Sequence, residues 1–248
     1  SMEWGMGKVW SQRGVVLMTA LDSYIVKTIT LEECREWFLK KHYLKRLASF
    51  SFCFGLYQDF FLKGVCSFGR PVAHGVVKGA LNGKYMNTFL ELNRLVVDDN
   101  LNRNVLSFFL SQSLQKLPKP NVIVSYADLS QGHHGYIYQA TNWIYTGLSA
   151  KRKDYKIKGN ENLHSATLMD REGRQVGKGK ISLMRKKYGD NLYTEDRPRK
   201  HRYFYFLGNK TQKRDMKKNL AYKIEPYPKG DNKKYDSSYQ PSTQGILF

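Results

Sequence analysis

The run Glu91-Leu-Asn-Arg-Leu-Val-Val-Asp98, answered further along by Ser125-Tyr-Ala-Asp128 and Gly132-His-His-Gly-Tyr-Ile-Tyr-Gln-Ala-Thr-Asn-Trp143, decides how this chain folds. The first run alternates apolar and polar residues at the period of a strand, with Arg94 inside the apolar stretch. The second opens on the strand Val122-Ile-Val-Ser-Tyr126, which ends on an aspartate and turns into a short aromatic helix. An arginine and an aspartate on otherwise apolar strands are costly to bury unless paired or used. Two neighbouring strands would bring Arg94 and Asp128 to one cleft.

Outward from that centre, strands and helices alternate. Tyr24–Ile29 reads as a strand. Thr30 and Glu33 form a capping box at the start of a helix over Leu31–Lys41. Ser51–Tyr57 and Phe60–Ser67 read as two strands joined by a tight turn at Gln58-Asp59. Residues 72–87 are glycine-rich and read as an irregular loop beside the cleft. After the strand Thr88–Val97 comes a turn, Asp98-Asp-Asn-Leu-Asn-Arg-Asn104, then an amphipathic helix Val105–Leu117 stopped by Pro118 and Pro120. A short helix over His133–Thr141 and a strand over Trp143–Leu148 follow. The class is α/β: a mixed sheet with crossing helices.

The composition changes beyond Ala150. The formal net charge is +20, and residues 151–248 hold 25 of the 41 basic residues but only 11 of the 21 acidic ones. Such an excess favours a polyanion over a neutral small-molecule partner. The division expected is an N-terminal arm 1–22, a core 23–150, a basic extension 151–225 that completes the sheet and holds nucleic acid, and a flexible tail 226–248. Lys151, Arg152, Lys153, Arg185, Lys186, Lys187, Arg199, Lys200 and Arg202 are the phosphate-holding candidates, with Tyr155, Tyr188 and Tyr203 interleaved. Within the extension, Leu163–Met169 and the turn region 173–180 lead to a basic stretch at Met184–Tyr188, a strand Tyr203–Leu207 and a charged helix Thr211–Leu220.

Cys34, Cys53 and Cys66 are far apart and form no metal-binding spacing, so buried thiols in a reducing cytoplasm are expected. No run is long enough for a membrane span. Val15–Leu21 after Lys8 and Arg13 is at most a weak export signal. Ser1-Met2 reads as a tag-cleavage scar and Met18 as an alternative start.

The elements over 24–148 resemble the Gcn5-related N-acetyltransferases. Lys41-His-Tyr43, Glu91-Leu-Asn-Arg-Leu95, Ser125-Tyr-Ala-Asp128, Tyr136-Ile-Tyr-Gln-Ala-Thr-Asn-Trp143 and Arg199-Lys-His-Arg-Tyr-Phe-Tyr-Phe206 resemble, in order, the motifs of the phage Mom DNA-modification family. The resemblance spans residues 24–225. It implies an acyltransferase-like enzyme that converts adenine in double-stranded phage DNA to N6-carbamoylmethyl-adenine in the host cytoplasm and so shields the phage genome from restriction. It implies Tyr43, Arg94, Asp128 and Tyr138 as functional residues, with Ser125 or Ser113 beside them. Val96, Val97, Asn104 and Ser113 are implied on the donor side. The glycine loop that normally precedes the pyrophosphate-binding helix is replaced by Asp98–Asn104, whose acids suit a capped helix and repel phosphate. The donor is therefore open between acetyl-CoA and an aminoacyl-tRNA, iron is not excluded, and a homodimer is left open.

Each residue has a plain structural alternative. Asp128 is a general base or amine-binding group, or an N-cap for the following helix. Arg94 binds an anionic donor group, or orients Asp128, or forms a structural ion pair. Tyr43 and Tyr138 move protons or stack on a base, or are core aromatics. His133 and His134 with His42 shuttle protons; metal binding is the weaker reading. A base in a duplex must be flipped out, and Tyr136, Tyr138 and Trp143 are available to stack on it. Two competing functions stay open: an acetyl-CoA-dependent acetyltransferase acting on RNA or protein, and a non-catalytic DNA-binding protein.

Overall fold

A computed structural model describes residues 21–42, 47, 50–102, 104–161, 168 and 178–230. Tyr43, residues 15–20 of the apolar run, most of 163–177 and the tail from 231 onward lie outside the described residues.

Chain order builds the sheet from an antiparallel start. β1 (Tyr24–Thr28) pairs with β2 (Phe52–Gln58), and β2 with β3 (Phe61–Gly69). The β2–β3 turn falls at Asp59-Phe60, one residue later than expected, with both φ angles positive. Between β1 and β2 the capping box forms: the Thr30 amide donates to Glu33 Oε2 at 2.7 Å, and the Glu33 amide donates back to Thr30 Oγ1 at 3.4 Å. Helix α1 (Leu31–Glu36) follows, and its last turn widens into a π-helix, Trp37–Lys41, that closes on a His42 N–H to Trp37 carbonyl bond. Cys34 and Phe38 are buried against Cys53, Val65 and Val96.

Residues 72–87 are more ordered than their glycines suggest. They form α2 (His74–Gly79) and a 3-10 turn, Met86–Thr88. Ala80 and Leu81, fully buried, anchor the segment to the sheet, because an apolar pair with no other cover must pack there.

β4 (Phe89–Val97) leads through the turn 98–104 to α3 (Val105–Lys116), β5 (Asn121–Asp128), a 3-10 turn Leu129–Gln131, α4 (Tyr136–Ala140) and β6 (Ile144–Leu148). The hairpin β7 (Arg152–Ile157) and β8 (Leu192–Arg197) flanks α5 (Lys178–Tyr188), and the three enclose a small cluster of Ile157, Leu168 and Met184. The chain returns as β9 (Lys200–Leu207) and ends the described elements with α6 (Lys210–Lys218).

The sheet order is β1-β2-β3-β4-β5-β9-β6, so a strand from the basic C-terminal part lies between two core strands. β9 pairs along all of β5, from Asn121 opposite Leu207 to Asp128 opposite Lys200. β4 and β5 are the parallel pair, and they bond only from Phe89–Val122 to Glu91–Val124 before parting. One face packs Leu90, Leu92, Ile123, Ala127 and Tyr203 against α3 and Tyr138 of α4. The other packs Phe89, Val122, Val124 and Phe204 against Ala80, Leu81 and Met216. Among the described residues no helix is long and apolar enough to cross a membrane.

Candidate active site

Where β4 and β5 part, a cavity of about 940 Å³ opens. It runs from the α3 side, lined by Val97, Asp99, Asn102 and Asn104, through the gap to Arg94, Tyr126 and Asp128, and is bounded by α4 and by Pro228–Gly230. A bulge in β4 creates this arrangement. Ser67 pairs with Arg94 but Phe68 with Leu92, leaving Asn93 as the extra residue. Leu90 and Leu92 face α3. After the extra residue, Leu95 and Val97 face α3 and Val96 faces α1. Arg94 is thereby turned to the side shared by Glu91, Tyr126 and Asp128. Without the bulge it would enter the α3 core.

Arg94 is 7% exposed, and its Nη1 donates to the Asn93 carbonyl at 2.6 Å. Asp128 ends β5 and lines the same cavity. Its Oδ1 accepts from the Ser130 amide at 3.0 Å and the Ser130 hydroxyl at 2.7 Å; its Oδ2 meets Lys200 Nζ at 2.8 Å. Burial pushes this carboxyl up, but the Lys200 ammonium and the Ser130 bonds outweigh burial and hold it below the ordinary aspartate value. Asp128 does act as a cap, of the 3-10 turn Leu129–Gln131 rather than of α4. Glu91, at the last rung before the strands part, accepts from the Val72 amide at 3.2 Å. Burial raises its carboxyl, against the pull of Val72, Arg94 and Lys200.

Tyr138 is buried with its hydroxyl 2.8 Å from Ser125 Oγ. Ser125 Oγ donates to the Leu92 carbonyl at 2.8 Å, so the Tyr138 hydroxyl donates to the serine. Burial pushes the Tyr138 phenol up to about 12. The two serine candidates are separated by this geometry. Ser125 touches Tyr138, whereas Ser113 is fully buried between the Phe109 carbonyl and Cys66 Sγ and faces the core. Val96 also sits in the core, while Val97 and Asn104 line the cavity.

The turn before α3 departs from the expected cap. Asn104 sits at the cap position with φ 70° and makes no side-chain cap bond. Asp98 is drawn instead to Lys41, at 2.6 Å, whose ammonium also lies 3.8 Å above the Trp37 ring. Asp99 lines the cavity. A carboxylate on this side of the cavity disfavours a diphosphate laid beside it.

His42, His133 and His134 line the cavity, and burial holds the His133 imidazole below its ordinary value despite Asp128. Among the described residues no group of three or more His, Cys, Asp or Glu side chains is arranged to hold a metal ion.

Several expectations change on sight of the packing. Tyr136 is 66% exposed on the cavity lip and can stack on a base. Trp143 is fully buried and Tyr138 nearly so, with ring centroids 5.0 Å apart, so Trp143 belongs to the core. The cations around the start of β9 are committed internally. Arg199 Nε donates to the Ser149 carbonyl at 2.7 Å, and Lys200 pairs with Asp128. Arg202 is buried, donates to Thr146 Oγ1 and to the Thr146 carbonyl at 2.9 Å each, and lies 3.5 Å above the Tyr222 ring. Lys151, Arg152, Lys153, Arg185, Lys186 and Lys187 are exposed. Residues 221–230 pack along the sheet rather than beginning a free tail: the Glu225 amide donates to Tyr145, and the Tyr227 hydroxyl to the Trp143 carbonyl at 2.6 Å.

The chain matches the family model of the Mom protein family over residues 23–229. It is 29% identical over 210 residues to the methylcarbamoylase Mom of Escherichia phage Mu, covering 82% of this chain and 83% of that protein. Solved structures with a similar fold include an IAA acetyltransferase from Bacillus cereus, at TM-score 0.39 and 10% identity, covering 75% of this chain and all of that one. Another is a putative acetyltransferase from Salmonella typhimurium with acetyl-CoA, at TM-score 0.40 and 8% identity, covering 75% and 95% of the two chains.

Proposed function

The chain belongs to the Mom protein family, and on that premise we propose that it is a transferase that modifies the exocyclic N6 amine of adenine in double-stranded DNA. The product on this reading is N6-carbamoylmethyl-adenine, made on phage DNA in the host cytoplasm and protective against host restriction. The observation that carries the proposal is the cavity between the parted strands, with Arg94 and Asp128 on one wall.

The adenine amine is a poor nucleophile because its lone pair is delocalised into the ring. A site that uses it must position it and stabilise charge. Asp128, held ionised by Lys200, offers a carboxylate that accepts an N–H of the amine and aims its lone pair. A carboxylate below its ordinary pKa is a weak proton acceptor, so orientation is the larger part of its work. Arg94 supplies the fixed cation for a polar or anionic donor group. The Tyr138–Ser125–Leu92 chain fixes the wall behind them. The base must leave the duplex to reach this wall, and Tyr136 at the lip is placed to stack on it. Because Asp99 lines this side of the cavity, a donor without a diphosphate suits the site better than a diphosphate-bearing thioester.

The test compares plasmid from cells expressing the wild type, Arg94→Met and Asp128→Asn. Wild-type plasmid should resist restriction enzymes that cut at adenine-containing sites, and both variants' plasmids should be cut. Resistance that survives both substitutions in soluble, folded protein refutes the site assignment.

A further inference from the structure

We propose that the β7–β8 hairpin and α5 form a grip for the phosphate backbone of duplex DNA, planted at the rim of the cavity. The inference rests on the reading that duplex DNA is the substrate, and assigns its binding surface to one inserted module.

Three observations converge. First, the insertion is rooted at the site. The Ser149 amide donates to the Lys200 carbonyl at 2.8 Å, the Lys200 amide donates back to Ser149 Oγ at 2.9 Å, and Lys200 is the partner of Asp128. Arg152 begins β7 three residues after Ser149, a chain reach of about 10 Å at most. Exposed Lys151, Arg152 and Lys153 therefore stand beside the cavity rather than on a remote surface.

Second, α5, Lys-Gly-Lys-Ile-Ser-Leu-Met-Arg-Lys-Lys-Tyr, contains basic residues and no acidic one. Met184 is 1% exposed and packs on Ile157 and Leu168 with Tyr188 beside it, which turns Arg185, Lys186 and Lys187 outward. A helix without acids has none of the i,i+4 ion pairs that stabilise a merely solvated helix, and its like charges repel. That cost is offset when a polyanion lies against it.

Third, the cations around the start of β9 are engaged within the fold. Arg199, Lys200 and Arg202 hold backbone carbonyls, Asp128 and Thr146. A protein that must hold a duplex while one base is extracted needs phosphate contacts flanking the pocket. The inserted module supplies exposed cations there.

The experiment uses the full chain with two triple variants: Lys151→Gln/Arg152→Gln/Lys153→Gln and Arg185→Gln/Lys186→Gln/Lys187→Gln. All six positions are exposed, and circular dichroism and Tm confirm that each variant stays folded. Binding to a fluorescent 30-bp duplex is measured across a salt series, with a structured RNA hairpin of equal length in parallel. Each phosphate that is no longer neutralised lowers the slope of log K against log salt by about 0.9, so each triple variant should show a slope shallower by roughly two to three. Affinity at physiological salt should fall roughly 10- to 100-fold. Wild-type slope and affinity in both variants overturn the grip; if their plasmids are also still modified, the catalytic reading stands without it. Loss of RNA binding with duplex binding unchanged also overturns it, because the module would then serve an RNA partner. A wild type that binds no duplex at low salt overturns it too, and nucleoside analysis of plasmid from the same cells then judges the catalytic reading separately.

Discussion

Replacing Lys200 with methionine removes the ammonium 2.8 Å from Asp128 and keeps most of the aliphatic stem. Asp128 keeps its two Ser130 bonds but loses the full positive charge of its ion pair, in a site where its side chain is only 11% exposed. Removing one partner of a fully buried pair costs about 3–5 kcal/mol. The Lys200 side chain is 33% exposed, so water screens part of this, and about 2 kcal/mol is the working figure. For a chain of this size that corresponds to a Tm loss of about 4–8 °C at neutral pH. The pH dependence identifies the cause. The Asp128 carboxyl is depressed in the folded protein, so its pairing stabilises the fold above the unfolded aspartate value and is lost as pH falls through the folded one. The gap between wild type and Lys200→Met should therefore be full at pH 7 and shrink towards zero as Asp128 protonates in acid. Denaturant unfolding at a series of pH values measures it, and Lys200→Arg should recover most of the loss. A gap that stays constant down to acid, or no gap at neutral pH, refutes the claim that the ion pair fixes Asp128.

Other perturbations test neighbouring steps. Gly135 has φ +78°, and a Cβ there would lie 2.5 Å from the buried Tyr203 ring, so Gly135→Ala should cost at least about 2 kcal/mol in denaturant unfolding. Tyr138→Phe deletes the donor to Ser125 and should cost about 1–2 kcal/mol; with the phenol raised to about 12, wild-type Tyr138 should give no phenolate absorbance below pH 10. Arg202→Ala leaves the Thr146 carbonyl and hydroxyl without their guanidinium and uncovers the Tyr222 ring. It should lower Tm by about 5 °C or more while leaving the salt slope of DNA binding unchanged. An equal loss of slope would return Arg202 to the phosphate-binding set.

Local signals in the sequence carried much of the fold. The Thr30–Glu33 box marks α1, Pro118 stops α3, and the apolar/polar alternation from Glu91 marks β4. What they could not show is non-local. Nothing local to Lys200–Leu207 says that it will pair with β5 on one side and β6 on the other, and the Lys200–Asp128 ion pair follows only from that pairing. The parting of β4 from β5 was hidden for the same reason, because the Asn93 bulge depends on the register of β3. Arg199 and Arg202 read as surface cations because composition does not distinguish a solvated guanidinium from one bound to carbonyls. Ser113 could have been placed: it follows Phe109 by four residues and Val105 by eight, the buried stripe of α3. For the site itself, the motif residues Arg94, Asp128 and Tyr138 could be picked out from the chain, and the cavity that brings them together could not.

Whether the Arg94–Asp128 wall acts on adenine in DNA is read from the nucleosides themselves. Plasmid from cells expressing the wild type, Arg94→Met and Asp128→Asn should be digested to nucleosides and examined by mass spectrometry. The wild type should give deoxyadenosine bearing a carbamoylmethyl group, and both variants only unmodified deoxyadenosine. Unmodified deoxyadenosine from folded, DNA-binding wild type would contradict the proposed activity.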